Sequence, residues 1–248
     1  MLYDVHAHTL VGSYESDEKI LLRASEEYGI DKFFISSLHA IPNPTEEQVQ
    51  VANAQTLRLK KDHPELIEGY VYVSPEHPNA LKMLRTAMED WGFVGLKVWM
   101  STTCDDHYID PIVEQMIEYK APILIHSFHK AVGQLPFETT GEHVARLAER
   151  YPESKLLMAH LGGNAYHGLP CIRDYKNVWV DMCFSICRGD ELQYALEMLG
   201  EDRILFGTDL PGGGQECCGK LNELNVSQEV KDKIAYKNAL ELFKEVLK

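Results

Sequence analysis

Eight short β-rich apolar runs recur along this chain, and their spacing constrains the fold more than any other feature. They are Leu2–His8, Lys32–Leu38, Gly69–Ser74, Val94–Met100, Pro122–Ser127, Lys155–Leu161, Val178–Cys183 and Ile204–Leu210. Their starts lie about 30 residues apart, too far for hairpins and the right length for strand, crossover helix, strand. The intervening segments carry helix signals. Thr45-Glu46-Glu47-Gln48 is a capping-box pattern, and Asp110-Pro111 sets a cap residue before a proline at the first helical position. Further helices are predicted over Glu142–Tyr151, Glu191–Leu199 and Ser227–Leu247. Strands followed each time by helices imply a parallel sheet, and eight units in 248 residues predict a single-domain (β/α)8 barrel over residues 1–248. A doubly wound open sheet is the alternative, but it would place a glycine-rich phosphate loop after the first strand, where His6-Ala7-His8-Thr9 stands.

Composition narrows the partners. With 24 Lys+Arg against 38 Asp+Glu the formal charge is −14, and no basic run exceeds the pair Lys60-Lys61, which argues against nucleic acid. No apolar stretch approaches the roughly 20 residues of a membrane-spanning helix. Met1-Leu2-Tyr3-Asp4 does not open a signal peptide, so a soluble cytoplasmic protein is expected. The six cysteines lack the density of a disulfide scaffold. Cys183 and Cys187 are four apart and Cys217-Cys218 are adjacent, without C-x-x-C spacing, so core or loop thiols are expected.

In a barrel the active site lies at the carboxyl ends of the strands, and the polar residues there form an unusual set. The first strand ends in Asp4-Val5-His6-Ala7-His8, the fourth carries Lys97, the fifth ends at His126, the sixth at His160 and the eighth at Asp209. Side chains alternate along a strand, so His6 and His8 share a face. A third imidazole and a carboxylate complete a nitrogen-and-oxygen set suited to zinc, with iron or manganese as alternatives. A single histidine at a strand end is more often a hydrogen-bonded rim residue than a ligand; the combination on one rim carries the argument. His63, His77, His107 and His143 fall in predicted helices or loops and read as solvated. His39 and His129 follow strands two and five, where substrate contact and plain rim exposure explain them equally well.

Asp4-x-His6-x-His8, His126, Ala159-His160-Leu161-Gly162-Gly163, Phe206-Gly207-Thr208-Asp209-Leu210-Pro211 and the late Asn238-Ala239 with Leu242-Phe243 resemble the amidohydrolase superfamily. They look most like its branch containing aminocarboxymuconate-semialdehyde decarboxylase. The resemblance spans almost the whole chain. It implies that His6, His8, His126 and Asp209 hold a divalent metal and that His160 is a catalytic or orienting base. Such a cation lowers the pKa of a bound water toward neutrality, and Asp209 would accept its proton. Asp4, on the same face but deeper, reads as a supporting residue. Lys97 leaves alternatives open. A carboxylated strand-four lysine bridges two metals in binuclear members, where His126 and His160 would bind the second ion. In mononuclear members it would be a cationic substrate contact or general acid. One metal is favoured, because the segments around His160 and Asp209 look more like the mononuclear branch.

Substrate selection belongs to the loops after the strands. Trp99 reads as a pocket wall or as packing, Arg188 as a carboxylate clamp or an ordinary surface ion pair, and Gly212-Gly213-Gly214 as a flap or a permissive turn. With Lys97, His39 and His129 these complete the candidate substrate residues. The chain is shorter than the decarboxylases it resembles, and His39-Ala40-Ile41-Pro42-Asn43-Pro44 offers no arginine to grip a carboxylate. The sequence therefore predicts a metal-dependent hydrolase of an amide, lactone or other ester of a small molecule. A decarboxylase or hydratase is the second reading and a non-catalytic ligand-binding barrel the third. Pairing into a homo-oligomer leaves no mark that the sequence reveals.

Overall fold

A computed structural model describes residues 1–183 and 190–247. All eight expected strands form: β1 (Tyr3–Leu10), β2 (Lys32–Leu38), β3 (Ile67–Val73), β4 (Gly95–Val98), β5 (Pro122–Ile125), β6 (Lys155–Met158), β7 (Val178–Asp181) and β8 (Ile204–Leu205). They pair in parallel in sequence order from β1 to β8. Backbone bonds from Val5 N–H to Phe206 O (3.0 Å) and from His8 N–H to Leu210 O (2.8 Å) join the last segment to β1, completing a (β/α)8 barrel. Among the described residues no helix is long and apolar enough to cross a membrane.

The strands alternate with α1 (Tyr14–Tyr28), α2 (Glu46–Asp62), α3 (Ala80–Arg85), α4 (Asp110–Tyr119), α5 (Gly141–Arg150), α6 (Ala165–Ile172), α7 (Asp190–Leu199) and α8 (Gly214–Glu223), with α9 (Gln228–Asp232) and α10 (Asn238–Phe243) at the end. The Thr45 capping box forms as the sequence indicates, with the Gln48 side chain returning to the Thr45 N–H at 2.8 Å. At α4 the cap differs. Asp110 is the first helical residue, and the cap falls on Asp106, which accepts the Tyr108 N–H in a 3₁₀ turn leading into the helix. The long helix expected over 227–247 is divided by a π turn at Lys233–Lys237. Gly214 belongs to α8, which shortens the expected glycine loop.

The barrel floor is apolar. Val5, Phe34, Tyr70, Leu124, Leu157 and Leu205 converge from six strands onto Phe243 of α10, which closes the bottom. Tyr70 reaches across to donate to Val5 O at 2.9 Å. Gly95 makes room for it, since a Cβ there would lie 2.8 Å from the Tyr70 ring. A second layer, from the outer faces of the strands, packs against the helices around Leu96, Ile123, Leu156 and Val180. Removing these large side chains from water supplies about 25 cal/mol per Å² of apolar area and makes the strand ends a rigid platform.

Candidate metal centre

Two departures from regular strand geometry position the polar residues above this floor. The β1 register shifts between Asp4 and Ala7, breaking the simple alternation expected there. The buried Asp4 carboxylate fills the irregularity, accepting from His6 N–H (3.1 Å), Thr208 N–H (3.0 Å) and the Thr208 hydroxyl (2.5 Å). Burial pushes its pKa up to about 8 against the pull of these donors. The second departure is at the strand ends. β6 stops at Met158 and β8 at Leu205, short of the expected Leu161 and Leu210. His160 (φ 61°), Leu161 (φ 49°) and Asp209 (φ 58°) then adopt left-handed backbone, so His160 and Asp209 project from turns instead of strands.

His6, His8 and Asp209 come together. His6 Nε2 lies 3.0 Å from His8 Nε2, and Asp209 Oδ1 lies 3.6 Å and 3.3 Å from the two nitrogens. The other ring nitrogens are tied off. His6 Nδ1 donates to Asp181 Oδ2 at 2.9 Å, and His8 Nδ1 reaches Ser36 Oγ (2.9 Å) and Ser36 O (3.1 Å). With the protons on Nδ1, both Nε2 lone pairs point at one place, the tautomer that a metal ligand needs. Burial and the nearby Lys97 hold the His6 pKa well below its usual value. Asp209 is pulled both ways: burial favours its neutral form, but the adjacent His8 and the other surrounding histidines outweigh that and hold it below the usual carboxylate range. Two imidazoles with their Nδ1 atoms engaged and one ionised carboxylate fit a divalent cation.

The remaining candidates separate. Lys97 is fully buried beneath the centre, its Nζ 2.9 Å from His6 Nε2, and burial lowers its pKa to about 8. It faces the same His6 nitrogen as the candidate ligand set and is not among the residues that line the cavity. His126 turns its nitrogens to His160 Nε2 (3.2 Å) and Glu138 Oε1 (3.4 Å). It belongs to neither cluster of donor atoms lying within 4.8 Å of one another among the described residues. Burial lowers the His160 pKa to about 4, so this ring is neutral near pH 7. Above the centre lies a cavity of about 350 Å³ with His8, His126, His160 and Asp209 at its base and Leu10, Leu38, Pro42, Trp99, Met100 and Leu210 among its walls. Trp99 is thus a wall. His39 is not part of the lining, although its buried Nε2 has no hydrogen-bond partner. His129 stacks on His167 (centroids 4.2 Å apart) outside the lining, and Arg188 lies outside the described residues.

Sequence reasoning passed over Asp181, Cys183, Glu138 and Ser36. Asp181 ends β7 as the other site residues end their segments, so the same criterion would have found it. It accepts the His160 N–H (2.9 Å) and Cys183 N–H (3.2 Å) on Oδ1 while holding His6 with Oδ2. Glu138, 2% exposed, comes from the long loop after β5 and pairs with Lys130 at 2.7 Å. No strand-end criterion points to it.

Solved structures share this arrangement of the chain. It superposes on 2,6-dihydroxybenzoate decarboxylase from Rhizobium with a TM-score of 0.79 at 20% identity, covering 98% of this chain and 99% of that one. Dihydroxybenzoic acid decarboxylase from Polaromonas, with bound manganese and the inhibitor 2-nitroresorcinol, gives 0.76 at 20% identity, with 98% and 96% covered. For 4-oxalomesaconate hydratase from Rhodopseudomonas palustris the values are 0.74 and 17%, with 99% and 96% covered. No curated protein matches in sequence. The family model described as Amidohydrolase matches residues 3–244, which include every residue of the centre, and the chain therefore belongs to the amidohydrolase family.

Proposed function

We propose that this protein is a divalent-metal-dependent enzyme that decarboxylates a small carboxylic acid about the size of one ring. The observation that carries this reading is the cavity. At about 350 Å³ it lies at the small end of ligand sites, its described walls are largely apolar, and its polar groups gather at the base around Asp209. A lyase needs its polar machinery at one point of a compact substrate, whereas hydrolysis of an ester or amide needs room for an acyl group and a leaving group. The decarboxylases and the hydratase of the same fold support this ordering, which reverses the one that the sequence suggests.

His6, His8 and Asp209 would hold the cation, with His126 facing the same cavity from the end of β5. When bound, the metal would supply Lewis-acid polarisation and a positive charge for substrate oxygens, a task that no cation on the described cavity wall performs. Decarboxylation breaks a C–C bond, releases carbon dioxide and returns a proton to the carbon left behind. We assign that proton to the Asp209 carboxyl group, the acid at the cavity base, which takes it from a substrate hydroxyl or from water. His160, neutral near pH 7, serves as a hydrogen-bonding partner. Leu38, Trp99 and Met100 exclude water. Asp181 and Ser36 fix the tautomers of His6 and His8.

A specific observation favours hydrolysis as the second reading: the Asp209 carboxylate lines the cavity beside the candidate metal ligands, where it would face a metal-activated water. Products separate the two. Manganese-loaded protein is incubated with hydroxybenzoates in D₂O and, separately, with a set of lactones and aryl esters. Carbon dioxide release with one deuterium at the vacated carbon supports the lyase. Acid production from esters without carbon dioxide from any acid replaces it with the hydrolase.

A further inference from the structure

His6 has two faces, and the second, on which Asp181 fixes its tautomer, also holds a sulfur that the chemistry proposed above does not use. On its Nδ1 side lie Asp181 Oδ2 at 2.9 Å and Cys183 Sγ at 3.1 Å, and the same sulfur lies 3.0 Å from His160 Nδ1. One donor atom from each of His6, His160, Asp181 and Cys183 falls within 4.8 Å of the others, and all four residues are buried. Two imidazole nitrogens, a thiol sulfur and a carboxylate oxygen make a four-donor set of the kind that closed zinc sites use.

We infer that this set is a second cation seat, selective for thiophilic ions such as zinc, cadmium and cobalt(II), standing back to back with the nitrogen-and-oxygen set of His6, His8 and Asp209. Only the identity of the first, open seat rests on the proposed function. With metal–sulfur bonds near 2.3 Å and metal–nitrogen bonds near 2.0 Å, tetrahedral ligands require an N···S separation of about 3.6 Å. Each Cys183 contact must therefore widen by about half an ångström, within the reach of side-chain rotation. Occupation displaces one proton from the Cys183 thiol and one from His6 Nδ1, and both leave to solvent. His160 lines the cavity, so the seat is approached from the same opening as the first.

Sharing His6 gives the arrangement a consequence. An ion on Nδ1 takes the proton that holds Nε2 ready for the open set, so the two seats compete unless His6 bridges them. Soft thiolate draws zinc toward the closed seat, whereas manganese, which prefers oxygen and nitrogen, gains nothing from it. Cys183 thus sorts metals.

The test is spectroscopic and needs no substrate. Wild-type protein and the variants Cys183→Ser and Cys171→Ser/Cys218→Ser, the latter lacking the two partly exposed described thiols, are titrated with cobalt(II). Their folded state is checked by circular dichroism. The expected result is a sulfur-to-cobalt charge-transfer absorption in wild type and in the double variant, lost in Cys183→Ser. In parallel the zinc-over-manganese affinity ratio should fall about tenfold or more in Cys183→Ser. X-ray absorption at the zinc edge of wild-type protein supplies a check independent of any variant: one sulfur in the inner coordination sphere is expected. Absence of both the charge-transfer band and the sulfur from wild type overturns the inference, as does their persistence in Cys183→Ser.

Discussion

Asp181→Asn changes one oxygen to nitrogen at the residue that organises the centre, and its effect can be worked from three hydrogen bonds. Oδ1 accepts two backbone N–H groups, from His160 (2.9 Å) and Cys183 (3.2 Å), so the amide oxygen must take that place. The amide NH₂ then faces His6 Nδ1, where Oδ2 stood at 2.9 Å. His6 must accept there, which moves its proton to Nε2 and blocks the lone pair aimed at the metal. Exchanging a charge-assisted bond for a neutral one costs about 1–2 kcal/mol of stability. Manganese affinity should fall about 10–100-fold. Asp181→Ala is harsher: three buried donors lose their acceptor at about 1–3 kcal/mol each, which approaches the whole stability of a domain. Equilibrium dialysis with elemental analysis reads the first effect and urea unfolding the second. If folded Asp181→Asn binds manganese as tightly as wild type, the tautomer argument is refuted.

Other perturbations test other parts of the structure. Lys97 has its folded pKa lowered from 10.5 to about 8, so its burial penalty is fully present below pH 8 and is relieved as pH rises toward 10.5. The stability of metal-free wild type relative to Lys97→Met should therefore rise by about 3 kcal/mol across that window, read by denaturation at several pH values. Arg203 donates to the carbonyls of Tyr175 (2.8 Å), Arg173 (2.8 Å) and Leu199 (3.3 Å); Arg203→Met should cost about 3 kcal/mol in urea unfolding and leave manganese content per folded chain unchanged. Gly163 sits at φ 76° with a would-be Cβ 2.7 Å from Phe128 Cα, so Gly163→Ala should lose about 2–4 kcal/mol and lower the thermal midpoint.

The barrel was legible because its strands are periodic apolar runs at helix-length intervals, a signal that depends on chain order alone. His6, His8 and Asp209 were legible because they close such runs, and the resemblance to the amidohydrolases added their roles. What the sequence could not show lies in three dimensions. The register shift in β1 and the left-handed turn at Asp209 accompany Asp4 capturing Thr208, which lies 204 residues away, and the turn at His160 has its N–H held by Asp181. The sequence therefore put His160 and Asp209 on strands and made Lys97 a candidate for the cavity. Cys183 read as a core thiol, and it is buried; its place between two imidazoles follows from the closeness of β1, β6 and β7 around the axis. Glu138 approaches His126 from a long loop whose path no local pattern predicts.

The central claim is that His6, His8 and Asp209 hold one divalent cation without Lys97. Manganese content per chain, measured by elemental analysis after equilibrium dialysis of wild type, His6→Ala and Lys97→Ala, tests it most directly. The account predicts about one manganese per chain in wild type and in Lys97→Ala, and none in folded His6→Ala. Manganese retained in His6→Ala, or nearly two ions in wild type that fall with Lys97→Ala, would contradict it, the second result establishing a lysine-bridged pair instead.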